Sequence, residues 1–203
     1  MLSIALPKGR LGETSYEMFS HMGYSCISFG TDRRLVIESE NKLVRYLLVK
    51  PSDVATYVER GIAHIGIIGK DILDEAQPDV YELHDLGFGK CTMAVCAIQG
   101  KKINKTNPLR VATKYINISK THYSQKNIDI EIIHLNGSIE LAPLLGLSDV
   151  IVDIAETGTT LRENNLEMIE EISHISARLI ANKASYKFNS EIDKIVTLLK
   201  AGS

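Results

Sequence analysis

The chain has 203 residues, 44% hydrophobic and 24% charged, ordinary for a globular protein and too apolar for a disordered or fibrous one. Lys plus Arg number 23 against 25 Asp plus Glu, a net charge of −2, which excludes a broad nucleic-acid surface but allows a local cationic pocket for a small anion. No apolar run reaches the ~18 residues of a membrane span, and the basic residues follow the first short apolar stretch, the reverse of a secretory signal. A cytoplasmic protein is expected, with neither membrane nor nucleic acid among its partners. Cys26, Cys91 and Cys96 form no C-x-x-C pair and read as reduced, buried thiols. The sequons at Asn104, Asn117 and Asn136 carry no meaning in that compartment.

Short β-rich runs alternate with helical stretches, the pattern of an α/β protein. Residues 2–6 predict a strand and 10–22 a helix, with Leu11, Met18, Phe19 and Met22 near helical spacing. Strands 35–38 and 44–49 form a hairpin around Glu40-Asn41-Lys42. Residues 51–60 predict a helix with Ser52 as N-cap and Gly61 as its end. A strand at 64–68, a helix at 70–76 and strands at 80–84 and 91–98 follow, the last two joined through Gly87-Phe88-Gly89. The polar stretch 99–108 reads as an exposed loop near a domain boundary.

The alternation then restarts: strand 110–113, helix 116–126, strand 128–134, short helix 139–145, buried strand 149–153 and short helix 161–164. The long β-leaning segment 166–182 is able to carry the chain back to the first lobe. A last helix at 190–200 is apolar at Ile192, Ile195, Val196 and Leu199 and would pack there. The layout suits two α/β lobes with a cleft, lobe one being 1–92 plus 179–203 and lobe two 93–178.

The most informative stretch runs from Asp149 to Glu163. An apolar strand ends in Asp153, a loop of Glu156, Thr157, Gly158, Thr159 and Thr160 follows, and a helix begins. In α/β folds ligands sit at the carboxyl ends of strands. The loop's amides and hydroxyls suit a phosphate monoester, Gly158 allows close approach, and the acidic groups before it suit ribose hydroxyls or a magnesium complex. Thr160 and Glu163 alternatively form a plain capping box. A P-loop is excluded, since no G-x-x-x-x-G-K-[ST] occurs.

Lys8, Gly9 and Arg10 form a second strand-to-helix junction. They read either as a polyanion clamp or as solvated charges at a turn. Arg33 and Arg34, beside Asp32, share that ambiguity. Ser138 and Glu140 follow an Asn-Gly turn; Glu140 either binds diol hydroxyls near Asp153 or belongs to a turn and cap. The six histidines are scattered without zinc-ligand spacing, and no glycine pattern completes G-x-G-x-x-G.

Seven collinear segments then resemble the short-form ATP phosphoribosyltransferase family. They are Leu6-Pro-Lys-Gly-Arg-Leu, Ser52-Asp-Val-Ala-Thr-Tyr-Val-Glu, Gly66-Ile-Ile-Gly-Lys-Asp-Ile-Leu, Val80-Tyr-Glu-Leu-His-Asp-Leu-Gly-Phe-Gly-Lys-Cys, Arg110-Val-Ala-Thr-Lys-Tyr, Leu135-Asn-Gly-Ser-Ile-Glu-Leu-Ala-Pro and Asp153-Ile-Ala-Glu-Thr-Gly-Thr-Thr-Leu-Arg-Glu-Asn.

The resemblance implies a fold like the type II periplasmic binding proteins, with the active site in the interlobe cleft. It implies that ATP and phosphoribosyl pyrophosphate give phosphoribosyl-ATP and pyrophosphate, the first step of histidine biosynthesis. Mg²⁺ would be carried by the substrates and no metal-ligand set supplied by the protein. It places Glu156, Thr157, Gly158, Thr159 and Thr160 on the 5-phosphate, and Glu140 and Asp153 near the ribose. Lys8, Gly9, Arg10 and Lys50 would face pyrophosphate and ATP, and Lys8, Arg10 and Arg33 would be catalytic.

Three positions depart from the family pattern: Lys50 for arginine, Ala55 for proline and Asn165 for glycine. A purine-salvage phosphoribosyltransferase is disfavoured because Asp153 and Glu156 are not adjacent. A cytoplasmic two-lobed small-anion binding protein without catalysis is the reading from another class. The length leaves no room for the histidine-binding domain of the family's long form. The resemblance therefore implies homodimers of this chain, joined in a hetero-octamer by a regulatory subunit resembling histidyl-tRNA synthetase.

Overall fold

The computed structural model describes residues 1–30, 33–103 and 108–201. Asp32, the sequon at Asn104 and the middle of the loop 99–108 lie outside them. Packing divides the chain into two compact units, Met1–Gly89 with Ser176–Ser203, and Lys90–Ile175. Each crossing falls three residues before the one read from the sequence, and the start of the polar loop after Ile98 lies within the second unit.

The first unit is built on a six-stranded sheet. Its strands are β1 (Leu2–Pro7), β2 (Val36–Glu38), β3 (Val44–Val49), β4 (Ile65–Gly69), β5 (Val80–Asp85) and, after the return, β11 (Ala177–Asn182), in the order β2-β3-β1-β4-β11-β5. β1 runs parallel to β3 and β4, while β11 is antiparallel to β4 and β5. Every residue of β1 is buried, as a parallel strand covered on both faces requires.

Alternation sorts the side chains of this sheet. Ile4, Leu6, Ile65, Ile67 and Leu179 share one core with Phe19 of α1 (Arg10–His21) and with Ile192, Ile195, Val196 and Leu199 of α8 (Ser190–Ala201). Leu11, Met18 and Met22 pack against the same core. On the other face Ala5, Leu47, Ile68 and Ile180 meet Val54 and Val58 of α2 (Val54–Glu59) and Leu73 of α3 (Lys70–Ala76).

The second unit holds a five-stranded sheet of β6 (Cys91–Ile98), β7 (Leu109–Thr113), β8 (Ile130–His134), β9 (Val150–Ala155) and β10 (Leu166–Ile175), in the order β10-β6-β9-β7-β8. Met93, Val95, Val111, Val150 and Val152 pack with Tyr123 of α4 (Ile116–Ser124). Ala94, Cys96, Ala112 and Ile151 turn the other way, towards Ala142 of α5 (Leu141–Leu144) and Leu161 of α6 (Thr159–Glu163). At the amino end of β9, Asp149 is clamped. Arg110 donates from Nη2 to Asp149 Oδ1 at 2.8 Å and from Nε to Oδ2 at 3.1 Å, while its Nη1 donates to the carbonyls of Gly146 and Leu147.

Several expectations need correction. Ser52 caps nothing: a 3-10 turn, Pro51–Asp53, precedes α2, and the Ser52 hydroxyl bonds to Asp53. The Thr160–Glu163 capping box does not form, because α6 starts two residues before Glu163's box would require, with Gly158 preceding it. Ser138 is not a cap either; Glu140 precedes α5 without a side-chain cap. One helix, α7 (Lys183–Phe188), had no apolar period to announce it; the Asn182 side chain caps it by accepting from the Ser185 N–H.

Two outcomes follow from this packing. A Cβ on Gly12 would lie 1.8 Å from the Pro7 carbonyl oxygen. Gly12→Ala should therefore push α1 off the end of β1, costing about 1–3 kcal/mol. A thermal melt matching wild type would contradict that contact.

The second outcome concerns Asp149, whose carboxyl is held below the usual range chiefly by the Arg110 hydrogen bond. A depressed carboxyl stabilises the fold above its ordinary pKa of about 4 and loses that contribution as pH falls through the folded value. Asp149→Asn should melt below wild type at pH 7. The gap should close on acidification below about pH 4. A gap that persists there would refute the linkage.

Candidate active site

The second unit carries a cavity of about 260 Å³ at the carboxyl end of β9. Its wall brings together Glu140, Asp153, Glu156, Thr157, Gly158, Thr159 and Thr160. These are the residues that the family resemblance assigned to the phosphoribosyl group, and they come from two separate segments. Alternation explains the strand's part. Val150 and Val152 face the core beneath α4, so Ile151 and Asp153 face the cavity side. Cys96 stands opposite Ile151 in the register and forms the floor.

Beyond the strand, Gly158 sits at φ 68°, the left-handed region where a side chain is strained. That bend turns the chain sharply into α6. It leaves Thr157 Oγ1 and Thr159 Oγ1 3.0 Å apart, and the Thr159 N–H reaches back towards the Thr157 hydroxyl. Hydroxyls and a close backbone form a donor-rich wall for an anion. Glu140 and Asp153 offer acceptors instead, the chemistry a ribose diol needs.

Expected cations of the first unit gather at one end of its sheet. β1 and β3 are parallel with Pro7 opposite Val49, so Lys8 and Lys50 leave neighbouring strands at their carboxyl ends. The Lys8 N–H donates to the Val49 carbonyl at 2.8 Å. Gly9, at φ 94°, makes the turn that starts α1 at Arg10. β2 is antiparallel to β3, and the Leu48 N–H bonds the Leu35 carbonyl. The segment entering β2, with Arg33, therefore lies at the same end of β3 as Lys50. Lys8, Arg10, Arg33 and Lys50 are all exposed.

Three residues near the cavity escaped the sequence reading. Cys96 was taken as an ordinary core thiol, and only the β6–β9 register puts it under the site. Lys114 follows Thr113, which pairs with Val152, so it stands beside Asp153 with Nζ 4.0 Å from Oδ1. Arg162 lies in the last turn of α6, yet it donates from Nη2 to Thr159 Oγ1 at 3.3 Å. A cation one residue past a strand end, and one three residues after the loop's threonine, were the available signals.

The family model for HisG, ATP phosphoribosyltransferase, matches residues 50–201. An ATP phosphoribosyltransferase of Brachyspira hyodysenteriae is 59% identical over 198 residues, covering 97% of this chain and 96% of that one. Among solved structures, the ATP phosphoribosyl transferase (HisG:HisZ) complex from Thermotoga maritima aligns with a TM-score of 0.84 and 35% identity, covering 98% of this chain and 96% of that one. A protein called Tv2483, bound to L-arginine, aligns with a TM-score of 0.62 over 99% of this chain and 85% of its own. At 12% identity it shows the fold alone.

The fold is thus the two-unit α/β architecture of type II periplasmic binding proteins, here carried by a pentosyltransferase. The chain belongs to the ATP phosphoribosyltransferase family, whose reaction opens histidine biosynthesis. Its relatives support catalysis and not the non-catalytic anion binder. Of the departures from the family pattern, Asn165 adopts φ 54°, the left-handed conformation expected where glycine is usual.

The cavity floor makes its own prediction. Burial, and then the nearby Asp153 carboxylate, push the Cys96 thiol up to about 12. At pH 8 about one molecule in ten thousand would carry the thiolate. Iodoacetamide at pH 8 should leave Cys96 unmodified in the native protein and label it after denaturation, as peptide mass spectrometry would read. Rapid native labelling would contradict the buried thiol.

Proposed function

We propose that the cavity at the end of β9 holds the phosphoribosyl group of phosphoribosyl pyrophosphate, and that the cations at the ends of β1 and β3 serve its pyrophosphate and ATP. The observation that carries this reading is the meeting of Glu140 and Asp153 with the Glu156–Thr160 loop around one cavity.

In this reading Thr157, Gly158, Thr159 and Thr160 hold the 5-phosphate, with Glu156 opening the loop. Glu140 and Asp153 accept hydrogen bonds from the ribose hydroxyls. Adenine N1 attacks the anomeric carbon, the bond to pyrophosphate breaks, and the leaving group takes the electron pair. N1 is already a nucleophile, so no protein base and no covalent intermediate are needed. Positive charge develops on the ribose and negative charge on the leaving group. Lys8 and Arg10, joined by Arg33, stabilise that departing charge more than the ground state. Lys50 and the Gly9 backbone help to seat the polyanions. Orientation of two bound substrates supplies much of the remaining acceleration.

Mg²⁺ carried by the substrates would neutralise pyrophosphate charge. Among the described residues no three His, Cys, Asp or Glu side chains converge as a metal-binding group. One or two carboxylates with substrate phosphates are the usual setting for this ion, and Glu140 and Asp153 fit that donor chemistry.

We further propose a partner akin to the HisZ component of the Thermotoga maritima complex. It would resemble histidyl-tRNA synthetase, confer histidine inhibition and join dimers of this chain into a hetero-octamer. A cytoplasmic setting is part of this reading, in keeping with a family of amino-acid biosynthesis; no described helix is long and apolar enough to cross a membrane.

The test mixes the protein with ATP, phosphoribosyl pyrophosphate and Mg²⁺, with and without such a partner, and follows the change in adenine absorbance when N1 is ribosylated. Turnover is expected. Arg10→Ala should slow single-turnover chemistry about 10²–10³-fold, with a smaller change in phosphoribosyl pyrophosphate affinity. Unchanged single-turnover rates would remove Arg10 from the transition state.

A further inference from the structure

The cavity on the second unit poses a charge problem. The side chains on its wall that carry charge at neutral pH are Glu140, Asp153 and Glu156, all acidic, since the Cys96 thiol stays neutral. A phosphate monoester brings up to two further negative charges. Hydroxyls and amides alone would have to hold it against that field, whereas charge-assisted donors are roughly twice as strong.

Arg162 answers this problem by its geometry. It stands in the last turn of α6, where a cation ordinarily leans towards the terminal carbonyls. Here the side chain folds back to the beginning of the helix instead. Nη2 donates to Thr159 Oγ1 at 3.3 Å, and Nη1 lies 3.8 Å from the position a Cβ on Gly158 would occupy. Thr159 Oγ1 is 3.0 Å from Thr157 Oγ1, so guanidinium and two hydroxyls form one chain across the loop.

Among the described residues that hydroxyl is the one polar partner of the guanidinium, and no carboxylate pairs with it. A side chain with rotamer freedom to lose gains little from a single 3.3 Å bond to a neutral hydroxyl. The other nearby cation is committed differently, since Lys114 faces Asp153 on the ribose side. A guanidinium presents paired donors that match two phosphate oxygens.

We propose that Arg162 is a binding residue for the 5-phosphate, supplying the cation that the Glu156–Thr160 loop lacks and selecting a phosphorylated ribose. The inference rests on the reading of that loop as the phosphate site. Arg162 keeps its bond to Thr159 and turns its remaining donors to the phosphate oxygens.

Calorimetric titration of wild type, Arg162→Met, Arg162→Gln and Arg162→Lys tests this, with ribose 5-phosphate, phosphoribosyl pyrophosphate plus Mg²⁺, and pyrophosphate plus Mg²⁺ as ligands. Circular dichroism and melting check that each variant is folded. Arg162→Met and Arg162→Gln should each weaken ribose 5-phosphate and phosphoribosyl pyrophosphate about 10–100-fold, the loss of a charged hydrogen-bonding partner. Pyrophosphate, which lacks the 5-phosphate, should keep its affinity, and Arg162→Lys should recover part of the loss. In turnover the KM for phosphoribosyl pyrophosphate should rise while kcat at saturation holds, the mark of uniform binding.

Folded variants that bind ribose 5-phosphate as wild type does would overturn the role of Arg162 and leave the loop reading intact. An equal loss for pyrophosphate would overturn it too, by showing a general effect. A wild type that binds neither ribose ligand would overturn the loop reading and this inference with it.

Discussion

Strand β9 is the member on which the second unit's cavity depends. It lies in the middle of five strands, bonded to β6 on one side and β7 on the other. With both edges paired, a slip of one residue would turn every side chain to the wrong face. Val150 and Val152 are buried in one core, and this holds Ile151 and Asp153 on the other face. The Arg110 clamp fixes the amino end of the strand. Near the carboxyl end the buried Thr113 hydroxyl donates to the Val152 carbonyl at 2.7 Å. A rigid strand thereby delivers a glycine- and threonine-rich loop to a set place, which is how binding loops are usually mounted.

Recognition of a phosphorylated sugar places opposite demands within a few ångströms. Hydroxyls of the ribose call for carboxylate acceptors, while the phosphate calls for donors and positive charge. In the proposed reading, the chain separates these demands by order along the backbone. Asp153 ends the strand, Glu156 opens the loop, and threonine hydroxyls follow around Gly158. Arg162 comes last, folded back onto the threonines. The first unit has a different electrostatic character at the ends of β1 and β3, where Lys8, Arg10 and Lys50 emerge. A net charge near zero thus conceals an acidic cavity wall on one unit and a group of exposed cations on the other.

Much of the architecture was legible because apolar periodicity is strong here. The spans of β3, β6 and α3 match their sequence readings to the residue, and the four apolar positions of α8 are all buried. Caps were less legible. Ser52, Ser138 and Thr160 are all good cap residues by type, but whether a side chain turns back to the helix depends on the bend before it. At α6 that bend is made by Gly158 in a left-handed conformation, which displaces Thr160 into the helix itself. α7 was illegible for another reason: Lys-Ala-Ser-Tyr-Lys-Phe has no apolar stripe, and its cap, Asn182, ends a strand.

By itself the sequence determined the two-unit α/β layout, the strand-end loop and the residue types that a phosphoribosyl site needs. Those properties are local: alternation, helical spacing and glycine placement are written along the chain. Tertiary structure alone decided that Glu140 joins Asp153 and the loop, that Cys96 is their floor, and that Lys114 and Arg162 stand beside them. These meetings depend on strand register and on how a short helix directs its side chains. Neither is encoded in spacing, because residues far apart in the chain become neighbours only once hydrogen-bonded strands have chosen their partners.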